Sequence, residues 1–137
     1  MNSAFHLSLP CKDIEATKNF YVNDLGLDFG RHTNQWIDIN LYNHQITFVA
    51  VEKFKIETPN YTLDDNILPS FHFGVILDHD SWEQAYDNAN NWTQDIITKT
   101  TFLKEQNGEH MSFFVEDPNG YTIEFKSFAD NDSIFEF

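Results

Sequence analysis

"FHFGVIL" at residues 71–77 reads as a short strand, and it restates "FHLSL" at residues 5–9. In both places a Phe-His pair opens an alternating apolar run, and a helix opening follows within a few residues. After the first run, Asp13 fits a helix N-cap. Ile14, Thr17, Tyr21 and Leu25 then fall at helical spacing, and Gly26 marks a stop. After the second run, Ser81 with Gln84 forms a capping box ahead of the stripe Trp82, Ala85, Ala89 and Trp92. His6 and His72 stand 66 positions apart, and that spacing sets the period of a duplication. Two copies are too few for a solenoid. Two βαβββ units sharing one core satisfy the pattern.

The remaining elements follow in the same order in each half. In the first, "LDFGRHT" and "QWIDINLY" read as strands, with Ile37, Ile39 and Leu41 on one face. A turn at Asn43 then leads into "HQITFVAVE". In the second, "DIITKTTFLKE", "HMSFFVE" and "YTIEFKSF" read as three strands, the last two joined by a turn at "DPNG". The predicted organisation is a first unit over 1–51, a connector over 52–69, a second unit over 70–128 and a tail over 129–137. The connector holds two prolines and no clean period, so it is expected to run over the surface without elements of its own. The tail, "ADNDSIFEF", is acidic and then apolar, fit to dock on the body or on a partner chain.

Composition narrows the function. The chain has 137 residues, 41% of them hydrophobic, with 14 Phe, enough for one packed interior. A net charge of −14, from 22 acids against 8 bases, repels nucleic acid and anionic lipid. Arg31 is the one arginine, which argues against a substrate held by a bidentate guanidinium clamp. A lone Cys11 makes no internal disulfide. The opening "MNSAFHLSLP" lacks the form of a signal peptide, and no window is apolar enough for a membrane span. The expectation is a cytoplasmic protein acting on a small molecule, with neither nucleic acid nor membrane as partner.

Strand parity then locates the chemistry, because neighbours along a strand face opposite ways. Phe5, Leu7 and Leu9 share one face, leaving His6 and Ser8 on the other. Phe71, Phe73 and Val75 likewise leave His72 and Gly74. Tyr121, Ile123 and Phe125 leave Thr122 and Glu124. In each strand the greasy face belongs under the helices, and the opposite face carries one His, one His and one Glu. Two imidazoles and one carboxylate on converging strands match the 2-His-1-carboxylate triad, which keeps open positions on non-haem Fe(II).

The residues "FHLSLPCKDIEATKNFYVNDLG", "FHFGVIL" and "FFVEDPNGYTIEF" resemble the vicinal oxygen chelate superfamily, which includes glyoxalase I, extradiol dioxygenases, fosfomycin-resistance transferases and bleomycin-binding proteins. The resemblance implies an α+β fold in which two βαβββ units form a cupped, U-shaped mixed sheet. It implies a divalent metal at the base held by His6, His72 and Glu124, with Fe(II) expected and Mn, Ni or Zn able to take the same donors. Aligning the halves puts Thr47 opposite Glu124, where a glyoxalase I pattern would carry a fourth ligand, so three protein ligands are expected. "NLYNHQITF" resembles the extradiol segment whose His acts as acid/base, and His44 falls on it. Where that pattern has a tyrosine this chain has Phe114, so a hydrogen-bond donor would come from Tyr42, Tyr121 or His110. Trp36, Phe48, Phe113 and Phe114 are candidates to line a pocket or fill the core.

On this resemblance the expected activity is that of an Fe(II) extradiol-like dioxygenase on a small chelating, diol-like substrate. The alternatives are a glyoxalase-like lyase or isomerase, a thiol transferase, and a metal-free drug-binding protein. A homodimer is implied as well, with the site either inside one subunit or shared between two.

Overall fold

A computed structural model of the chain describes residues 3–136. The first unit runs β1 (His6–Cys11), α1 (Ile14–Lys18), β2 (Phe29–His32), β3 (Trp36–Leu41) and β4 (His44–Ala50). The connector supplies β5 (Asn60–Leu63) and β6 (Asn66–Pro69). The second unit runs β7 (Phe73–Ile76), α2 (His79–Ala89), β8 (Ile96–Phe102), β9 (His110–Glu116) and β10 (Thr122–Phe128). Each unit makes a four-stranded mixed sheet, in the orders β1-β4-β3-β2 and β7-β10-β9-β8. The two orders are the same permutation, which is the duplication expressed as topology. No helix among the described residues is long and apolar enough to cross a membrane.

Local chemistry explains the elements and their departures from expectation. Asp13 caps α1 by accepting the Ala16 N–H at 2.8 Å. The helix then widens into a π-helical turn over Asn19–Asp24, closed by Leu25 N–H donating to the Phe20 carbonyl, and Gly26 ends it at φ +73°. The wider turn lets neighbouring Phe20 and Tyr21 both bury fully. For α2 the cap is Asp78, not the expected Ser81. The Asp78 carboxylate accepts the Ser81 N–H at 2.8 Å and the Ser81 hydroxyl at 3.0 Å. Strand β1 continues through Pro10, since an edge strand has a side on which a missing N–H costs nothing.

The connector is the main correction. Strands β5 and β6 pair antiparallel across Asp64 and Asp65, both at positive φ, the primed geometry that favours a tight hairpin. Leu68 packs with Phe102 and Phe114, and the Asp64 carboxylate accepts the Leu103 N–H at 2.7 Å. The hairpin therefore lies over the β8–β9 sheet rather than trailing across solvent. The tail forms a 3₁₀ turn over Asn131–Phe135 that buries Ser133 and leaves Phe135 94% exposed. The last tail residue, Phe137, and residues 1 and 2 of the first unit lie outside the described residues.

One core joins the units. Tyr21, Phe48 and Tyr121 form a chain of ring contacts between the sheets, and Trp92 meets both Phe20 and Phe113. The "DPNG" turn acts as a polar clasp on this core. Asp117 accepts the Tyr21 hydroxyl at 2.7 Å and the N–H groups of Asn119 and Tyr121 at 2.8 and 2.9 Å. Asn119 in turn donates to Thr17 and accepts from Lys12 N–H, while the Tyr121 hydroxyl donates to the Pro10 carbonyl. Every buried polar group of the clasp is thereby satisfied from the opposite unit or from its own turn.

Candidate functional site

Parallel pairing of β7 with β10 sets Gly74 beside Glu124, and His72 lies two residues upstream of Gly74. This register carries the His72 ring over the Glu124 carboxylate: Nε2 stands 3.1 Å from Oε1. On the far side of the ring, Nδ1 donates to the Pro69 carbonyl at 3.0 Å, fixing the tautomer so that Nε2 faces the carboxylate. The other carboxylate oxygen, Oε2, accepts the Ser112 hydroxyl at 2.6 Å and has the Lys126 ammonium at 3.7 Å. Tyr61 of the hairpin stacks parallel on His72, and Phe114 meets the ring edge-on. A cavity of about 220 Å³ opens here, lined by His72, Phe73, Gly74, Val75, Ile76, Glu124 and Lys126.

The pair is electrostatically poised. The hydrogen bond to Glu124 raises the His72 pKa above its ordinary value, outweighing the effect of burial. Burial pushes the Glu124 carboxyl up, but the bonds from His72 and Ser112 and the charge of Lys126 bring it below the ordinary range. Without a metal, a proton on Nε2 sits between one imidazole nitrogen and one carboxylate oxygen. A divalent cation would take that place, with the same two atoms as donors, so the donor chemistry fits.

The other expected residues lie elsewhere. His6 is exposed on β1, where it pairs with Gln45 of β4. Among the described residues no third His, Cys, Asp or Glu joins His72 and Glu124 closely enough to share an ion. His44 does not line this cavity but a neighbouring one, with Phe73, Gly74 and Val75 common to both. Its Nδ1 accepts the Phe5 N–H at 2.9 Å, and its parity is that of buried Ile46 and Phe48, opposite the face that carries His6 and Thr47. Thr47 donates to the buried Asp38 carboxylate at 2.8 Å, and Arg31 pairs with the same group at 3.3 Å. Thus the position equivalent to Glu124 belongs to a structural hydrogen-bond network in the first unit.

The family model for the glyoxalase/bleomycin resistance protein/dioxygenase superfamily matches residues 3–125. The chain belongs to that superfamily. Among solved structures, a glyoxalase/bleomycin resistance protein/dioxygenase from Alicyclobacillus acidocaldarius is similar with a TM-score of 0.82 at 23% identity, covering 98% of this chain and 97% of that one. The fosfomycin resistance protein FosX from Listeria monocytogenes reaches a TM-score of 0.74 at 11% identity, covering 100% and 99%. An integron cassette protein, HFX_CASS4, from the mobile metagenome of a Halifax Harbour sewage outfall reaches 0.67 at 15%, covering 93% and 99%. At these identities the likeness shows the fold. No curated protein matches the chain.

Within a glyoxalase-like fold, three residues around the pair escaped the sequence reading. Ser112 and Lys126 lie on the Glu124 face of β9 and β10, and the same alternation that picked out Glu124 could have found them. Tyr61 could not be found that way, because it reaches His72 only through the hairpin fold of the connector. Of the phenol and imidazole donors considered for the site, Tyr121 is committed to Pro10 and His110 donates to the Gly108 carbonyl. Tyr42 lines a separate cavity with Asp24 and Trp92. Phe48 and Phe113 are core residues, Phe114 is the ring against His72, and Trp36 lies half-buried on β3.

Proposed function

We propose that this superfamily member is a metal-dependent oxidoreductase of the vicinal oxygen chelate type, an Fe(II) extradiol-like dioxygenase acting on a small chelating, diol-like substrate. The observation that carries the reading is the His72–Glu124 pair: Nε2 and Oε1 face each other at 3.1 Å in an open cavity, each oriented from behind by its own hydrogen bond. His72 and Glu124 would hold the metal, with His6 of a second copy as third ligand in a homodimer. Exposed His6 on the edge strand β1, with exposed Phe5 just before it, supports that sharing, as does the separation of His6 from the pair within one chain.

When bound, the metal supplies Lewis acidity toward a pair of substrate oxygens and a site for dioxygen. The chain's own residues do the rest. Ser112 would hold Oε2 and leave Oε1 free to ligate, and the Pro69 carbonyl would keep the Nδ1 proton in place, so that Nε2, once it releases its own proton, is the nitrogen that faces the cation. Tyr61 and Phe114 cover the imidazole and exclude water from that side. We give His44 a structural part in this reading, since its Nδ1 is taken up in fixing the entry to β1.

The test is metal analysis of protein purified without air, for wild type and for His6→Ala, His72→Ala and Glu124→Ala. Iron near one per chain, lost in each variant, is the expected result. Wild-type protein that binds no divalent metal overturns the reading. Mixing His6→Ala with Glu124→Ala subunits then locates the site: a shared site regains metal in the hybrid dimer, and a site inside one subunit regains none. Oxygen uptake with a panel of catechols addresses the reaction.

A further inference from the structure

Lys126 stands where a solvated surface lysine would not. Two residues beyond Glu124 on β10, it shares the carboxylate's face of the sheet, and its side chain is 28% exposed. It lines the same cavity as His72 and Glu124. Its ammonium lies 3.7 Å from Oε2, an ion-pair distance but too long for a hydrogen bond, and Ser112 already fills that oxygen at 2.6 Å. Among the described residues, no acceptor within hydrogen-bond reach of this ammonium is found beside the pair.

The cation is conspicuous against the rest of the chain. With 8 bases to 22 acids, the protein's overall field repels anions. A cation bound by His72 and Glu124 would bring a second positive centre within a few ångströms of Lys126. One carboxylate cannot neutralise both, and the mutual repulsion is relieved when an incoming group brings negative charge between them.

We propose that Lys126 is the substrate's anion anchor, so that the site takes a small chelating oxyanion: two oxygens at the metal position and a further charged oxygen on the Lys126 ammonium. Substrates of this class are 2-hydroxy or 2-oxo carboxylates and catechols that carry a carboxylate. The proposal rests on the reading that His72 and Glu124 bind a cation, and it narrows the diol-like substrate to an anionic one. Lysine suits the task because three rotatable donors on a flexible stem can follow an oxyanion without the fixed fork of an arginine.

The probe is oxalate, a chelating dianion, with oxamide as its neutral counterpart. Each is titrated calorimetrically into wild type, Lys126→Met and Lys126→Arg, with and without saturating Mn(II), after Mn(II) affinity has been measured alone. Thermal melts confirm that the variants are folded. The expected result is oxalate binding that strengthens with Mn(II), falls about 10- to 100-fold in Lys126→Met and recovers in part in Lys126→Arg, while oxamide binding is unchanged. If Mn(II) binds and Lys126→Met takes oxalate as well as wild type does, the anchor is overturned and the metal reading stands. If Mn(II) fails to bind yet oxalate binding still depends on Lys126, the metal reading fails and the anchor stands. Absence of both overturns both.

Discussion

Replacing Gly74 with alanine tests the link between backbone packing and the His72–Glu124 pair. A methyl group at Gly74 would overlap the Glu124 carbonyl oxygen and lie 2.7 Å from its carbon and 2.8 Å from its nitrogen, where ordinary contact begins near 3.4 Å. No flexible side chain stands in the way; the obstacle is the backbone of the neighbouring strand. A methyl 1.7 Å from the carbonyl oxygen reaches ordinary contact only if β7 and β10 part by about 1.7 Å at the one register position that sets His72 over Glu124. Overpacking with a disturbed parallel ladder costs about 3–5 kcal/mol, which for a chain of this size lowers the melting temperature by roughly 10–20 °C. The Nε2–Oε1 approach should open along with the strands, so Mn(II) affinity should fall by more than about 10-fold. Thermal unfolding by circular dichroism and calorimetric Mn(II) titration read the two effects. A Gly74→Ala protein that melts within about 2 °C of wild type and binds Mn(II) equally well would refute the claim that this close approach builds the site.

Other perturbations separate the site from its scaffold. Ser112→Ala should leave folding nearly intact and weaken Mn(II) binding about 10-fold, measured by the same titration, because Oε2 loses its 2.6 Å donor. Tyr21→Phe should cost about 1–3 kcal/mol in a denaturant melt without changing metal affinity, since it removes a 2.7 Å hydroxyl donor from the buried Asp117 carboxylate. His44→Gln should leave the Mn(II) titration unchanged and lower the melting point slightly, through the lost Phe5 N–H contact. In chelator-treated protein, stability conferred by His72, whose pKa is raised, is present below about pH 6.5 and lost as pH climbs through the folded value. Stability conferred by Glu124, whose pKa is lowered, is present above about pH 4.5 and lost as pH falls through the folded value. The melting-point gap between wild type and His72→Gln should therefore peak between those values and narrow as pH rises through the folded His72 value.

How far the sequence carries depends on the range of the interaction involved. Phe-His at 5–6 and 71–72 revealed the duplication because strand parity and helix capping are local signals, and the two sheets do share one strand order. Carried further, the same count would have put Ser112 and Lys126 on the face of Glu124, but the sequence reading stopped at Glu124 itself. Applied from Ile46, the count also puts His44 on the Ile46 face of β4, at the strand's exposed start. The hairpin at 60–69 was illegible for a physical reason. Its strands are four residues long, one ends on Pro69, and its stability comes from Leu68 on Phe102 and Phe114, residues more than thirty positions away. The π-helical turn at Asn19–Asp24 was hidden likewise, because burying Phe20 and Tyr21 together is a demand of the assembled core.

The two halves share a topology but have divided the work. At the register position where β10 carries Glu124 opposite Gly74, β4 carries Thr47 opposite Ser8, and Thr47 is bound to Asp38 in a network that includes the one arginine. The first unit thus retains an exposed histidine without a carboxylate, and the second retains a histidine with one. Neither unit alone offers three donors. On the proposed reading, a pairing that sets β1 of one copy against β7 of another would supply each Glu124 with two imidazoles and would repeat the arrangement by symmetry, one complete site per chain. On that reading the asymmetry would also disfavour a second site: a carboxylate at Thr47 would have to share space with the buried Asp38.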